Sequence, residues 1–341
     1  MSMTLFKLAI EFYHSHSPTL PATLLSLAKA LTPLNFLQFM KWFIPSLLIL
    51  WALSACKPAS ESEASQKTAS AHHKPKVYVA NYPLKFFAER LGAEAIEVHF
   101  PAPSDEDPVF WQPDDATIAA FQNADLILMN GATYSKWAEK ITLPESKLVD
   151  TSAGFKAQFI EIMADATHSH GPGGEHSHSG TAFTTWIDFT QAIQQLEATK
   201  TSLTKFTQNA EKNFLALQSE LKALDARMVA VSQRIANAPL IASHPVYHYF
   251  ARRYALNIQA VLWEPEIVPD EKAMAELKAI LAKHPAKWMI WEGEPAQESV
   301  AKLEAIGVKS VTFDPCGNMP DKGDFLSVMK ANVENLEKAF P

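Results

Sequence analysis

Four histidines fall within eleven residues, in the stretch Thr167-His168-Ser169-His170-Gly171-Pro172-Gly173-Gly174-Glu175-His176-Ser177-His178. Neutral imidazole binds zinc and copper, and His-x-His pairs on a Gly- and Pro-rich loop are suited to gathering such ions. A solvated polar loop is the plain alternative, and the density of imidazoles argues against it. A second group of donors, Asp105, Glu106 and Asp107, lies between Pro103 and Pro108. The ordinary reading there is an acidic turn, with Asp107 turning or capping the chain. Three further donors each follow a short run that reads as a strand: His244 after Leu240-Ile241-Ala242, Glu292 after Trp288-Met289-Ile290-Trp291, and Asp314 after Ser310-Val311-Thr312-Phe313. A lone histidine there more often serves structure, but Asp314 at the end of another strand makes the pair a ligand candidate. Glu292 is read as an ion-pair or cap partner near the site. His248, one helical turn beyond His244, is a supporting or surface residue. Cys316 is read as a small buried hydrophobe, with thiolate ligation as the alternative. A phosphate loop, a nucleophile elbow and an HExxH are all missing from the chain. A His/Asp site with an open position could activate water, yet no general base accompanies it, so the expectation is a binding protein and not an enzyme.

The elements that position these donors are organised around one stretch. Residues 181–238 contain neither glycine nor proline, and the second half carries Phe206, Ala210, Phe214, Leu217, Leu221, Leu224, Met228, Val231 and Ile235. Steps of three and four place all of these on one face of an α-helix. The same average spacing fits a coiled-coil seam, but short β-rich runs alternating with helical segments flank it on both sides. The expected architecture is therefore α/β: two α/β lobes with parallel sheets joined by one spine helix. The first lobe is assigned to residues 76–204 with its His-rich loop at 167–179, the linking helix to 205–237, and the second lobe to 238–341. In the first lobe, strands at Lys76–Ala80, Ile96–Phe100, Asp125–Asn130 and Lys147–Thr151 alternate with helices from Pro83 and Asp114. In the second, strands at Leu240–Ala242, Ile258–Trp263, Trp288–Trp291 and Ser310–Phe313 alternate with helices. Such alternation indicates βαβ units, whose ligands bind beyond the carboxyl ends of the strands.

The N-terminus reads as an export address. Met40-Lys41 precedes the apolar run Trp42–Ala52, which is too short to span a bilayer, and Leu53-Ser54-Ala55-Cys56 follows. That end resembles the lipobox of bacterial lipoproteins, which implies lipidation of Cys56 and an exported, membrane-anchored protein facing the periplasm or cell exterior. Residues 1–55 are a leader whose start could be Met40, and residues 56–75 form a polar Ser/Ala-rich tether. The formal net charge is −7. An acidic body argues against nucleic acid as the natural partner and is compatible with a cationic ligand. Two cysteines, Cys56 and Cys316, leave no disulfide framework.

Asn81-Tyr82-Pro83-Leu84, Asp107-Pro108, Ala124-Asp125-Leu126-Ile127 with Asn130-Gly131, Trp137, Trp186, Ser243-His244-Pro245 with Tyr249-Phe250, and Phe313-Asp314-Pro315 occur in this order. In order and spacing the chain from residue 76 onward resembles the ZnuA/TroA-like metal-binding lipoproteins, solute-binding proteins of zinc and manganese ABC importers. The resemblance implies a metal held between two lobes by four side chains, a cognate ABC permease as partner, and a monomer. It maps the two second-lobe ligands onto His244 and Asp314. It maps the first-lobe pair onto Val109 and Thr184, neither of which is a zinc ligand of the usual kind. Replacement donors are sought in His178 first, then His176, His170 and His168, and next in Asp105, Glu106 and Asp107. Zinc is the expected cargo, favoured over manganese by the His-rich loop. Two alternatives stay open: a surface or adhesive lipoprotein that keeps the fold with a decayed site, and a loop-based metal scavenger.

Overall fold

The computed structural model describes residues 74–162, 167–169, 175–177 and 180–341. The first lobe opens with β1 (Lys76–Val79), α1 (Tyr82–Gly92), β2 (Glu97–His99), α2 (Asp115–Asn123), β3 (Leu126–Met129) and β4 (Leu148–Asp150). Each helix starts where a polar side chain can satisfy its first amides. Asn81 accepts from the Leu84 N–H with Pro83 in the first turn, and Asp114 accepts from the Thr117 N–H. The four strands form one parallel sheet in the order β2-β1-β3-β4. All four side chains of β3, Leu126 to Met129, are buried, as expected for a strand covered on both faces.

Four short strands follow: β5 (Glu161–Ile162), β6 (Thr167–Ser169), β7 (Glu175–Ser177) and β8 (Gly180–Thr181). β6 and β7 pair antiparallel with His168 opposite His176, so the His-rich stretch contains a small hairpin where a loop was expected. Then come α3 (Phe189–Leu203) and α4 (Ala210–Ile235). The spine is thus one 26-residue helix preceded by a separate one. The break falls in a run of polar and β-branched residues, where the Thr207 hydroxyl accepts the Asn209 N–H and competes with the helical ladder. Phe206 lies in that break, and the other eight seam residues are buried in α4. They pack within the chain, against α1 and α3 of the first lobe and two helices of the second, so the seam is satisfied without a second copy. α4 ends at Ala236 and Asn237, which take left-handed backbone angles (φ 50 and 61).

The second lobe comprises β9 (Pro239–Ala242), α5 (His248–Tyr254), β10 (Asn257–Ala260), α6 (Glu271–Lys283), β11 (Trp288–Trp291), α7 (Gln297–Glu304), β12 (Lys309–Thr312) and α8 (Phe325–Ala339). α5 and α8 are the two second-lobe helices that α4 contacts. The sheet is again parallel, in the order β10-β9-β11-β12. The two α/β lobes with parallel sheets and a long connecting helix agree with the sequence. One apolar core runs from Val77 and Phe87 through Leu217, Leu221 and Leu224 to Phe250, Phe313 and Phe325, so the lobes share their interior.

Candidate metal site

The loops after the strands of the two sheets meet. The Tyr82 N–H donates to the Gly317 carbonyl, the Trp186 indole N–H to Pro315, and the Asn318 amide to the carbonyls of Pro103 and Glu106. Against that junction the second lobe presents four donors, one beyond each strand: His244 after β9, Glu264 after β10, Glu292 after β11 and Asp314 after β12.

Sheet order decides which of these converge. β9 lies between β10 and β11, so His244 is flanked by Glu264 on one side and Glu292 on the other. Its Nδ1 is 2.8 Å from Glu292 Oε1 and its Nε2 3.5 Å from Glu264 Oε1. Among the described residues this is the one group whose donor atoms could share an ion, all lying within 4.8 Å of one another. His244 is buried while the two glutamates are partly open. The Ser243 hydroxyl accepts the Glu292 N–H at 3.3 Å, tying β11's end to β9's. Burial opposes charge on the His244 imidazole, but the hydrogen-bonding and charge of Glu264 and Glu292 override it and push the pKa up to about 10. A geometry that holds an imidazolium between two carboxylates also has the charge to hold a metal cation.

Asp314 follows β12, which lies two strands from β9. With strands ~4.8 Å apart it starts on the order of 10 Å from His244's strand, and it lies outside the three-residue group. Its Oδ1 accepts the Cys316 N–H at 2.6 Å. Burial raises its pKa, the Cys316 N–H counters, and Glu292 adds to the rise. Cys316 is a buried thiol whose pKa burial also pushes up, as its reading as a small hydrophobe requires. His170 and His178 lie outside the described residues. His168 and His176 are placed by their backbone alone, opposite one another in the hairpin.

The first-lobe positions have become packing. Val109 and Thr184 are both buried, and Val109 joins the shared core. The Thr184 hydroxyl donates to the Val246 carbonyl of the opposite lobe. With Phe110, Lys136 and His248 they enclose a cavity of about 20 Å³, room for one water molecule. Asp107 is the first-lobe carboxylate that does turn toward the second-lobe group. It lies on an exposed loop, yet its carboxyl is crowded by protein and accepts the Val109 N–H at 3.0 Å. Burial pushes its pKa up to about 6 against that hydrogen bond, and the charges of Glu292, His244 and Glu264 all act on it. Asp105 and Glu106 are exposed on the same loop.

The sequence pattern alone does not single out Glu264. Its signal is an acidic residue directly after the apolar run Ile258–Trp263. Glu292 was assigned to an ion pair, and its partner proves to be the candidate ligand His244 itself.

Two parallel-sheet lobes on one long helix, with imidazole and carboxylate donors where their strand ends meet, define a metal-binding solute-binding protein. The chain belongs to the ZnuA family, described as zinc-uptake complex component A, periplasmic, whose profile matches residues 77–339. It is 24% identical over 326 residues to the high-affinity zinc uptake system protein ZnuA of Bacillus subtilis, covering 89% of this chain and 99% of that protein. It is 23% identical over 312 residues to the manganese ABC transporter substrate-binding lipoprotein PsaA of Streptococcus pneumoniae, covering 86% and 95%. In fold it is similar to the Zn(II)-bound ZnuA-like domain of Streptococcus pneumoniae AdcA, with a TM-score of 0.65 and 20% identity over 79% of this chain and 99% of that one.

Proposed function

We propose that this protein is the extracytoplasmic metal-binding component of an ABC importer, a lipoprotein anchored through Cys56. It captures a divalent transition metal, zinc first, and hands it to a permease. It acts as a monomer and as a transport component, not an enzyme. The observation that carries this reading is His244, buried at the junction of the lobes and held between carboxylates from both neighbouring strands. Zinc is supported by the imidazole donor, by the four histidines of residues 167–178 and by the family's zinc-uptake members. Among the described residues no helix is long and apolar enough to cross a membrane, so anchoring rests on the Leu53-Ser54-Ala55-Cys56 end.

Titration calorimetry of the full chain with zinc chloride tests this. His244→Ala should remove most of the tight binding, and Cys56→Ala should release the protein from the membrane fraction. The missing donors at Val109 and Thr184 favour a second reading, a fold retained with its central site lost. That reading takes over if His244→Ala binds zinc like the parent while removal of residues 167–179 abolishes binding.

A further inference from the structure

We infer that the cargo is held by the second lobe, on His244, Glu264 and Glu292, and not at the interlobe position marked by residues 109, 184, 244 and 314. This deepens the functional reading above and rests on it.

Three observations converge. The three donor groups have ligand atoms within 4.8 Å of one another and come from three adjacent strands, so side-chain rotation alone would gather them around one ion. The first-lobe positions are taken up by packing and by the Thr184–Val246 hydrogen bond, and they supply neither an imidazole nor a carboxylate. Asp314, the other second-lobe position, is two strands away with its carboxylate engaged by the Cys316 N–H. A metal at the interlobe point would meet two side chains without useful donors. A metal beside His244 meets one imidazole nitrogen and two carboxylates.

The donor set names the class of cargo. One nitrogen and two carboxylates form a half-shell of mixed, oxygen-rich character, with positions left for Asp107 or water. Carboxylate and water suit manganese(II), and imidazole with carboxylate suits iron(II). Zinc still binds more tightly than either under the general affinity order of divalent metals. The site therefore takes manganese(II) and iron(II) in addition to zinc, where a cluster of imidazoles alone would hold manganese poorly.

Manganese chloride is accordingly the probe, since the His-rich segment contributes little to its binding. The full chain in detergent is titrated with manganese(II), followed by the loss of the free-ion paramagnetic resonance signal. Glu264→Gln and Glu292→Gln should each weaken binding about tenfold or more, given that even residues supporting a ligand cost 10–100-fold. Asp314→Asn should change affinity by less than about threefold. Melting curves identify any variant that has failed to fold. Independently of variants, spin-echo spectra of the bound manganese in the parent should show one coordinated imidazole. The inference is overturned if Asp314→Asn abolishes binding while both glutamine variants bind like the parent, or if two or more imidazoles are coordinated. Either result leaves the functional reading intact. A parent that binds neither manganese nor zinc removes both.

Discussion

At the scale of single residues, this molecule shows how a ligand position can be reused as packing. Thr184 occupies a place where the family resemblance puts a donor, and its hydroxyl serves instead as a strut to the Val246 carbonyl across the lobe junction. Thr184→Val keeps the shape and removes that bond, leaving a part-buried carbonyl short of its partner. The expected cost is about 1–2 kcal/mol in denaturant unfolding, with zinc affinity unchanged. A fall in zinc affinity matching that of His244→Ala would make Thr184 part of the site. Val109 carries the same lesson: it is 4% exposed and belongs to the core that links the lobes. An isopropyl group there contributes apolar burial and no lone pair.

At the scale of elements, α4 is the member on which both lobes depend. Its buried face meets α1 and α3 on one side and α5 and α8 on the other. Leu221 is fully buried near the middle of that face, whereas Leu215 on the same helix is 55% exposed. Leu221→Ala should cost about 2–5 kcal/mol, and Leu215→Ala should stay within about 0.5 kcal/mol. Chemical denaturation of the two variants side by side checks this. Equal effects would mean that α4 is not the seam between the lobes. The second-lobe sheet matters at the same scale, because its strand order sets which donors are neighbours. Placing β9 between β10 and β11 brings Glu264 and Glu292 to His244 and leaves Asp314 at the far edge.

At the scale of the whole molecule, the two lobes are tied together by the protein's own hydrogen bonds and core. The Tyr82–Gly317, Trp186–Pro315, Asn318–Pro103, Asn318–Glu106 and Tyr249–Ala182 hydrogen bonds cross the junction. The shared core continues beneath them. Hinge-type closure needs flexible connections that absorb large backbone changes, and a 26-residue helix packed on both lobes is not such a connection. Small-angle scattering with and without zinc should give the same radius of gyration. A clear compaction on adding metal would contradict this, and would mean that the bonds across the junction are made only in the loaded state.

Local pattern sufficed for the architecture. Alternating strands and helices, the Asn81 and Asp114 caps, and the three- and four-residue steps of α4 are short-range signals, and the structure follows them closely. They also placed His244, Glu292 and Asp314 at strand ends, because a strand's end is a local property. What the sequence could not express is which strands lie side by side. Glu264 is twenty residues from His244 and twenty-eight from Glu292 in the chain, and only the order β10-β9-β11 makes the three neighbours. The break before α4 escaped for a related reason: no glycine or proline marks it, and a side-chain bond from Thr207 competes with a helix that propensity alone would continue. Residue types along the chain named the chemistry, imidazole and carboxylate for a metal cation. The lateral order of parallel strands, set by long-range packing against α4 and its neighbours, decided which of them stand around His244.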